Sequence, residues 1–465
     1  MSPADLSATE LHAEYRAGSL SPVEVARAAL DRIEAVNGAV NAYCLVDPDR
    51  TLADAAASEK RWGAGEPQGL LDGVPVSIKD ILLSRGWPTL RGSHTVDPRQ
   101  PWDVDGPAVA RLREHNAVLV GKTTTPELGW KGVTDSPLTG VTRNPWDVSK
   151  TAGGSSGGAS AAVATGTSPI SIGTDGGGSI RIPASFSGVF GIKPTYGLVP
   201  IFPASPYGTL AHVGPLSWTV ADSALALDVL SGSDSRDWTT GPRPEQPVSA
   251  TLGAGVAGMR IAFSPRLGFA TVDPEVAALV NAAAHTFADL GARVELVDPV
   301  VADSVEAFHV LWFAGAAASI APLSAEQREK LDPALLEVCE QGARGSALDY
   351  VFATGVRAEL GRVMGEFHEH FDLLLTPTMP ITAFEAGVEV PGGWPAPRWT
   401  SWTPFTYPFN MTQQPAASLP CGFTKAGLPV GLQVVGPKHA DARVLAACRA
   451  FEQARPWQGT RPSLG

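Results

Sequence analysis

Between residues 153 and 181 this chain sets two glycine–serine clusters on either side of a run of small side chains. The first cluster is Gly153-Gly154-Ser155-Ser156-Gly157-Gly158, and the second runs from Gly173 through Gly176-Gly177-Gly178-Ser179 to Arg181. Residues 159–165, between them, are almost all small, which predicts a helix packed closely against its neighbours and closed by Gly166. Pro169 to Gly173 then reads as a short strand that delivers Ser179 on the following turn. Glycines around a serine let a substrate approach the backbone and let several N–H groups converge on one point. That is the layout of a serine nucleophile beside an oxyanion site.

The rest of the chain alternates strand and helix patterns. Ser7-Ala8-Thr9-Glu10 and Ser21-Pro22-Val23-Glu24 are capping boxes that open two helices. The second carries an apolar stripe and is expected to end at Gly38. Strands are expected at 73–80, 117–121, 259–264, 294–297, 372–378 and 428–436, and helices around 105–115, from Asp273 through Leu290 and at the C-terminus. Residues 301–370 read as mostly helical, and 391–409 as an aromatic loop. This alternation predicts an α/β layered fold. With no internal repeat and no low-complexity linker, a single domain over 1–465 is expected.

The net charge of −12 argues against nucleic acid and anionic membranes as partners. The four cysteines are scattered without a pairing pattern, no signal peptide is visible, and no apolar stretch is long enough to span a bilayer. A cytoplasmic protein is the expectation. His368 and His370 have no third ligand at a recognisable spacing, and neither a P-loop nor a dinucleotide fingerprint occurs, so no metal or cofactor is expected.

A serine nucleophile needs a base. None of the nine histidines has the context of one. Residues 153–157 formally fit the G-x-S-x-G nucleophile elbow, but only His439 lies late enough in the chain to complete that triad. The other available base is Lys79, flanked by Ile78 and Ile81 at the end of an apolar strand. Buried there it loses solvation, its pKa falls, and the neutral amine accepts a proton. Read locally, Lys79 is more readily the ion-pair partner of Asp80 at a strand end.

The segments GVPVSIKD at 73–80, GGSSGG at 153–158 and GTDGGGSIRIPASFSGVFGIKPTYG at 173–197 together resemble the amidase signature family. The likeness continues in NPWD at 144–147, GPLSWTVAD at 214–222, LLLTPTMP at 373–380 and GLPVGLQVVG at 427–436. It is weakest over 230–370, the more helical, variable part, and its signature core is about 70–220. The resemblance implies a large mixed β-sheet sandwiched between α-helices. It implies a Ser–Ser–Lys triad with Ser179 as nucleophile, Ser155 as bridging serine after a cis peptide bond, and Lys79 as base. The backbone N–H groups of Gly176, Gly177, Gly178 and Ser179 then form the oxyanion hole. Ser156, Thr174, Asp175 and Arg181 are supporting residues, with Asp175 and Arg181 expected to hold the loop as a charge pair. Lys193 is expected to be structural.

Family members cleave amides, anilides, ureides and some carbamates, while one branch belongs to a tRNA-dependent amidotransferase that needs partner chains. Ser187 stands where that branch usually has cysteine, and TYGLVP lacks the arginine that typically follows its glycine. A stand-alone amidase acting on a small amide or carbamate and water, as monomer or homodimer, is therefore expected; the alternative is one component of an amidotransferase complex. Trp130, Trp399 and Trp402 are candidates for an apolar pocket that favours an aryl substrate, although clustered aromatics are more often plain core. A small polar ureide of the carboxybiuret type is the alternative substrate, and Arg398 is the candidate clamp for a carboxylate.

Overall fold

Eleven segments of extended chain pair into a single sheet: β1 (Tyr43–Val46), β2 (Pro75–Lys79), β3 (Val118–Thr123), β4 (Ile170–Asp175), β5 (Phe190–Lys193), β6 (His212–Ser217), β7 (Arg260–Phe263), β8 (Arg293–Leu296), β9 (Leu373–Pro377), β10 (Ala416–Phe423) and β11 (Pro429–Val435). Their spatial order is β1-β3-β2-β4-β6-β5-β10-β11-β9-β7-β8. The computed structural model describes residues 2–298 and 300–464. Pairing is parallel where β2 meets β3 and β4, and where β7 meets β8 and β9. It is antiparallel elsewhere, so the sheet is mixed. Helices cover both faces, as parallel strands without polar alternation require.

β2 shows how the sheet sorts its side chains. Every residue in it is buried. Val76 and Ile78 enter the main apolar core beneath the helices at 107–114, 220–230 and 441–454. Ser77 and Lys79 alternate to the other face. There the helix at 157–164 lies with all eight residues buried, as its small side chains require. A Cβ on Gly158 would stand 2.5 Å from the Thr124 backbone nitrogen. No larger residue fits this approach.

The expected strands and the two capping boxes are present. Three expectations shift. The second helix runs past Gly38 to Val40 and ends at Asn41, which takes the left-handed conformation at φ 52°. The aromatic loop contains a 3₁₀ turn at Trp399–Trp402 and a short helix at Tyr407–Met411. The structure adds strands at 43–46, 190–193, 212–217 and 416–423 and a helix at 48–63. These strands are short or interrupted by glycine and proline, which weakens their alternation in sequence.

Candidate active site

Parallel pairing of β2 with β4, with Ile78 opposite Ile172, sets Lys79 level with the end of β4. The N-terminus of the 157–164 helix brings Ser155 and Ser156 over the same point. Lys79 Nζ lies 2.7 Å from Ser155 Oγ, 3.0 Å from Ser156 Oγ and 2.9 Å from Thr174 Oγ1. The Gly154–Ser155 peptide bond is cis.

The two local readings of Lys79 are thereby separated. Asp80, on the opposite side of the strand, takes Lys122 at 2.9 Å, and among the described residues no carboxylate touches Lys79. Burial pushes the Lys79 amine well below its ordinary value, and the more distant Asp175 only partly opposes this. A neutral amine has two N–H groups and one lone pair. Ser156 Oγ donates to Thr174 O at 3.1 Å, so it accepts from Lys79. That leaves one N–H and one lone pair for Thr174 and Ser155, so a hydroxyl can deliver its proton to nitrogen.

Ser155, Thr174, Gly176 and Ser179 line a common cavity of about 310 Å³. Lys79 is fully buried behind them and does not line it. Ser179 Oγ makes no hydrogen bond to a described residue. Ser179 is fastened through its backbone instead, by the Ser156 N–H donating to its carbonyl at 3.1 Å.

Asp175 and Arg181 form the expected charge pair, both fully buried, with Arg181 Nε and Nη2 each 3.0 Å from a carboxylate oxygen. Burial alone raises the Asp175 carboxyl, but the Arg181 charge and hydrogen bonds hold it well below the usual range. Arg181 also reaches Asn410 Oδ1 at 2.6 Å, Gln433 Oε1 at 2.8 Å and Thr406 O at 3.0 Å. Nothing local in the sequence marks Asn410 or Thr406. Gln433 lies inside the GLQVVG segment, where its strand position hides its role.

One expected oxyanion donor is corrected. The Gly178 N–H donates to Asp175 Oδ1 at 2.8 Å and is spent inside the loop. The N–H groups of Gly176, Gly177 and Ser179 meet no acceptor among the described residues. Gly178 itself has φ +127°, and a Cβ there would lie 2.5 Å from Thr406 Oγ1, so only glycine fits.

The aromatic expectation is also corrected. Trp130, Trp399 and Trp402 do not line the cavity. They are buried in the second core cluster, where Trp402 stacks on Phe186 and Trp130 Nε1 donates to Asp332. Trp399 backs the glycine loop, its Cη2 2.7 Å from where a Gly177 Cβ would stand. The cavity wall comes instead from Tyr207, stacked on Trp312 with ring centroids 3.8 Å apart, and from the proline-rich run 200–206. The available signal was that run, apolar yet without helix or strand period. Arg398 pairs with Glu337 away from the cavity. Lys193 is buried and donates to the Gln414 carbonyl. His212 reaches the cavity wall, but its Nδ1 faces Leu210 O and Asp175 O, and neither serine is its partner. His439 makes no contact with either serine and does not line the cavity, which removes the elbow reading.

Residues 24–445 match the model of the amidase family. An acylamidase of Rhodococcus erythropolis is 38% identical, covering 98% of this chain and 97% of the relative. A glutamyl-tRNA(Gln) amidotransferase chain of Geobacter sp. (strain M21) is 37% identical, covering 97% of this chain and 98% of the relative. Among solved structures, a bacterial aryl acylamidase of the amidase signature enzymes superposes with a TM-score of 0.91 at 34% identity, over 98% of this chain and 97% of that one.

Proposed function

The chain belongs to the amidase signature family, a hydrolase fold acting on linear amides, and from that premise we propose that it is a stand-alone acyl-amide hydrolase in which Ser179 is the nucleophile, Ser155 the proton relay and Lys79 the base. The observation that carries this reading is the sealed position of Lys79, whose shortest hydrogen bond, at 2.7 Å, is to Ser155 and whose amine has no carboxylate partner among the described residues. A base that cannot reach the cavity itself needs an intermediary, and Ser155 both lines the cavity and touches Nζ.

Ser179 Oγ attacks the amide carbonyl as its proton passes to Ser155 Oγ, while Ser155 gives its own proton to Lys79 Nζ. The carbonyl oxygen becomes an oxyanion held by the free N–H groups of Gly176, Gly177 and Ser179. Collapse of the tetrahedral adduct breaks the C–N bond, and Lys79 returns the proton through Ser155 to the leaving nitrogen. Water then attacks the Ser179 ester by the same route, releasing the carboxylic acid and restoring the serine. Asp175 and Arg181 position the loop and touch neither serine hydroxyl.

The Tyr207–Trp312 wall and the apolar run 200–206 favour an aryl or apolar amide, anilide or carbamate over a small polar ureide. The amidotransferase relative keeps a second reading in view, a component that works only inside an assembly. A panel of aliphatic amides, anilides and aryl carbamates, run with the purified wild type and Ser179→Ala, tests the proposal. Turnover of at least one amide by the isolated chain, lost in Ser179→Ala, is the expected result, together with fluorophosphonate labelling of Ser179. No turnover, no label and co-purifying partner chains would establish the assembly reading instead.

A further inference from the structure

Among the described residues, the cavity is lined by one arginine and by no acid. Arg91 lines it together with Ile81, Leu82 and Leu128, and no aspartate or glutamate joins them. The residue is half-buried, and its backbone carbonyl accepts the Leu128 N–H at 2.8 Å, which ties it to the same wall that carries Gly129 against Ser155. Among the described residues its guanidinium has no hydrogen-bond acceptor and no carboxylate within 4.0 Å. The nearby acid, Asp80, is committed to Lys122 at 2.9 Å. Arg181 and Lys131, by contrast, have carboxylate partners: Arg181 meets Asp175, and Lys131 meets Asp332 and Asp135. Burial depresses the Arg91 guanidinium and Asp80 only partly restores it. A charge partly removed from water without a protein partner is costly, and a ligand anion relieves that cost.

We propose that Arg91 is a specificity residue that binds a carboxylate on the substrate, so that the preferred substrate is an amide with an aryl or apolar body and one carboxylate. The proposal rests on the hydrolase reading for its reaction but not for its binding step. A guanidinium presents parallel N–H donors that match the two oxygens of a carboxylate, which lysine does not reproduce. The apolar walls strengthen that contact by excluding water and take the body of the substrate. Arg398, the carboxylate clamp expected from the sequence, is tied to Glu337, so this role falls to a residue that no sequence motif marked.

Binding is measured separately from turnover. In the Ser179→Ala protein, calorimetry gives the Kd of N-acetyl-4-aminobenzoate and of acetanilide, which differ by the carboxylate. The anionic member is expected to bind about tenfold tighter or better, in line with a charged hydrogen-bond pair. Adding Arg91→Met removes the preference and leaves acetanilide binding within about twofold, while Arg91→Lys keeps part of it. Equal affinity for the two ligands in the Ser179→Ala protein overturns the proposal, and that result needs no Arg91 variant to fold. A preference that survives Arg91→Met, or a matched loss for both ligands, overturns it as well. Failure of the hydrolase reading is distinct: the wild type then leaves both compounds uncleaved while the Arg91-dependent preference persists.

Discussion

Lys79 is a lysine surrounded by hydroxyls. Three oxygens lie within 3.0 Å of its Nζ and no acid is among them, so burial dominates its protonation. The folded pKa is depressed, the unfolded chain retains an ordinary lysine, and between the two values the unfolded state binds more protons. Stability contributed at this site therefore rises with pH across that window, up to about pH 10.4. Urea melts of the wild type and Lys79→Met from neutral pH to pH 10 are expected to show a difference that changes in the wild type's favour as pH rises. Activity follows the same sign, because only the neutral amine accepts the relayed proton. Lys79→Met should lower kcat/KM by about 10²–10⁴-fold while the circular dichroism spectrum is retained. An active Lys79→Met protein removes the relay. Of these features, the burial of Lys79 at a strand end was legible in the sequence through strand context, and its proposed role as base through family resemblance. The choice between Asp80 and Ser155 as its neighbour was not legible, since it depends on which side of β2 faces the 157–164 helix.

At the scale of elements, the site is a junction of two parallel strand ends, one helix N-terminus and one glycine loop. The loop is pinned from behind by the buried Asp175–Arg181 pair and by Asn410, Gln433 and Thr406, which come from the far end of the chain. Breaking a buried pair strands the remaining charge, so Asp175→Asn should destabilise the protein by about 3–5 kcal/mol in urea unfolding. It should also reduce kcat more than it raises KM, because an amide NH2 in place of Oδ2 can no longer accept the Ile180 N–H or Arg181 Nε, and the donor loop shifts. Gly178→Ala places a methyl against Thr406 at a backbone φ of +127°. We expect it to lower both the melting temperature and kcat, with Thr406→Ser failing to restore either, since the φ strain remains. Local patterning revealed the helix of small residues and most of the strands. It could not reveal the pins, because Arg181 meets Gln433 across 252 residues of sequence.

Across the whole molecule, the aromatic residues divide between a core that supports the loop and a cavity that faces substrate. Trp402→Ala should cost about 3–5 kcal/mol of stability, as large core truncations do, while KM for an aryl amide stays near the wild-type value in the protein that remains folded. Trp312→Ala should instead raise KM several-fold, since it removes half of the stacked Tyr207–Trp312 wall. Equal KM effects from the two would erase the distinction. Sequence alone determined the layered α/β fold, the order of Lys79, Ser155 and Ser179 along the chain, and the need for glycine around Ser179, because strand period, small-residue packing and backbone donor clusters are local properties. Only the tertiary structure decided that Trp130, Trp399 and Trp402 are core, that Gly178 is spent on Asp175, and that Arg91 lines the cavity without a carboxylate partner among the described residues. Those outcomes depend on which distant surfaces meet, and an aromatic or a guanidinium has the same local pattern whether it fills a core or faces a ligand.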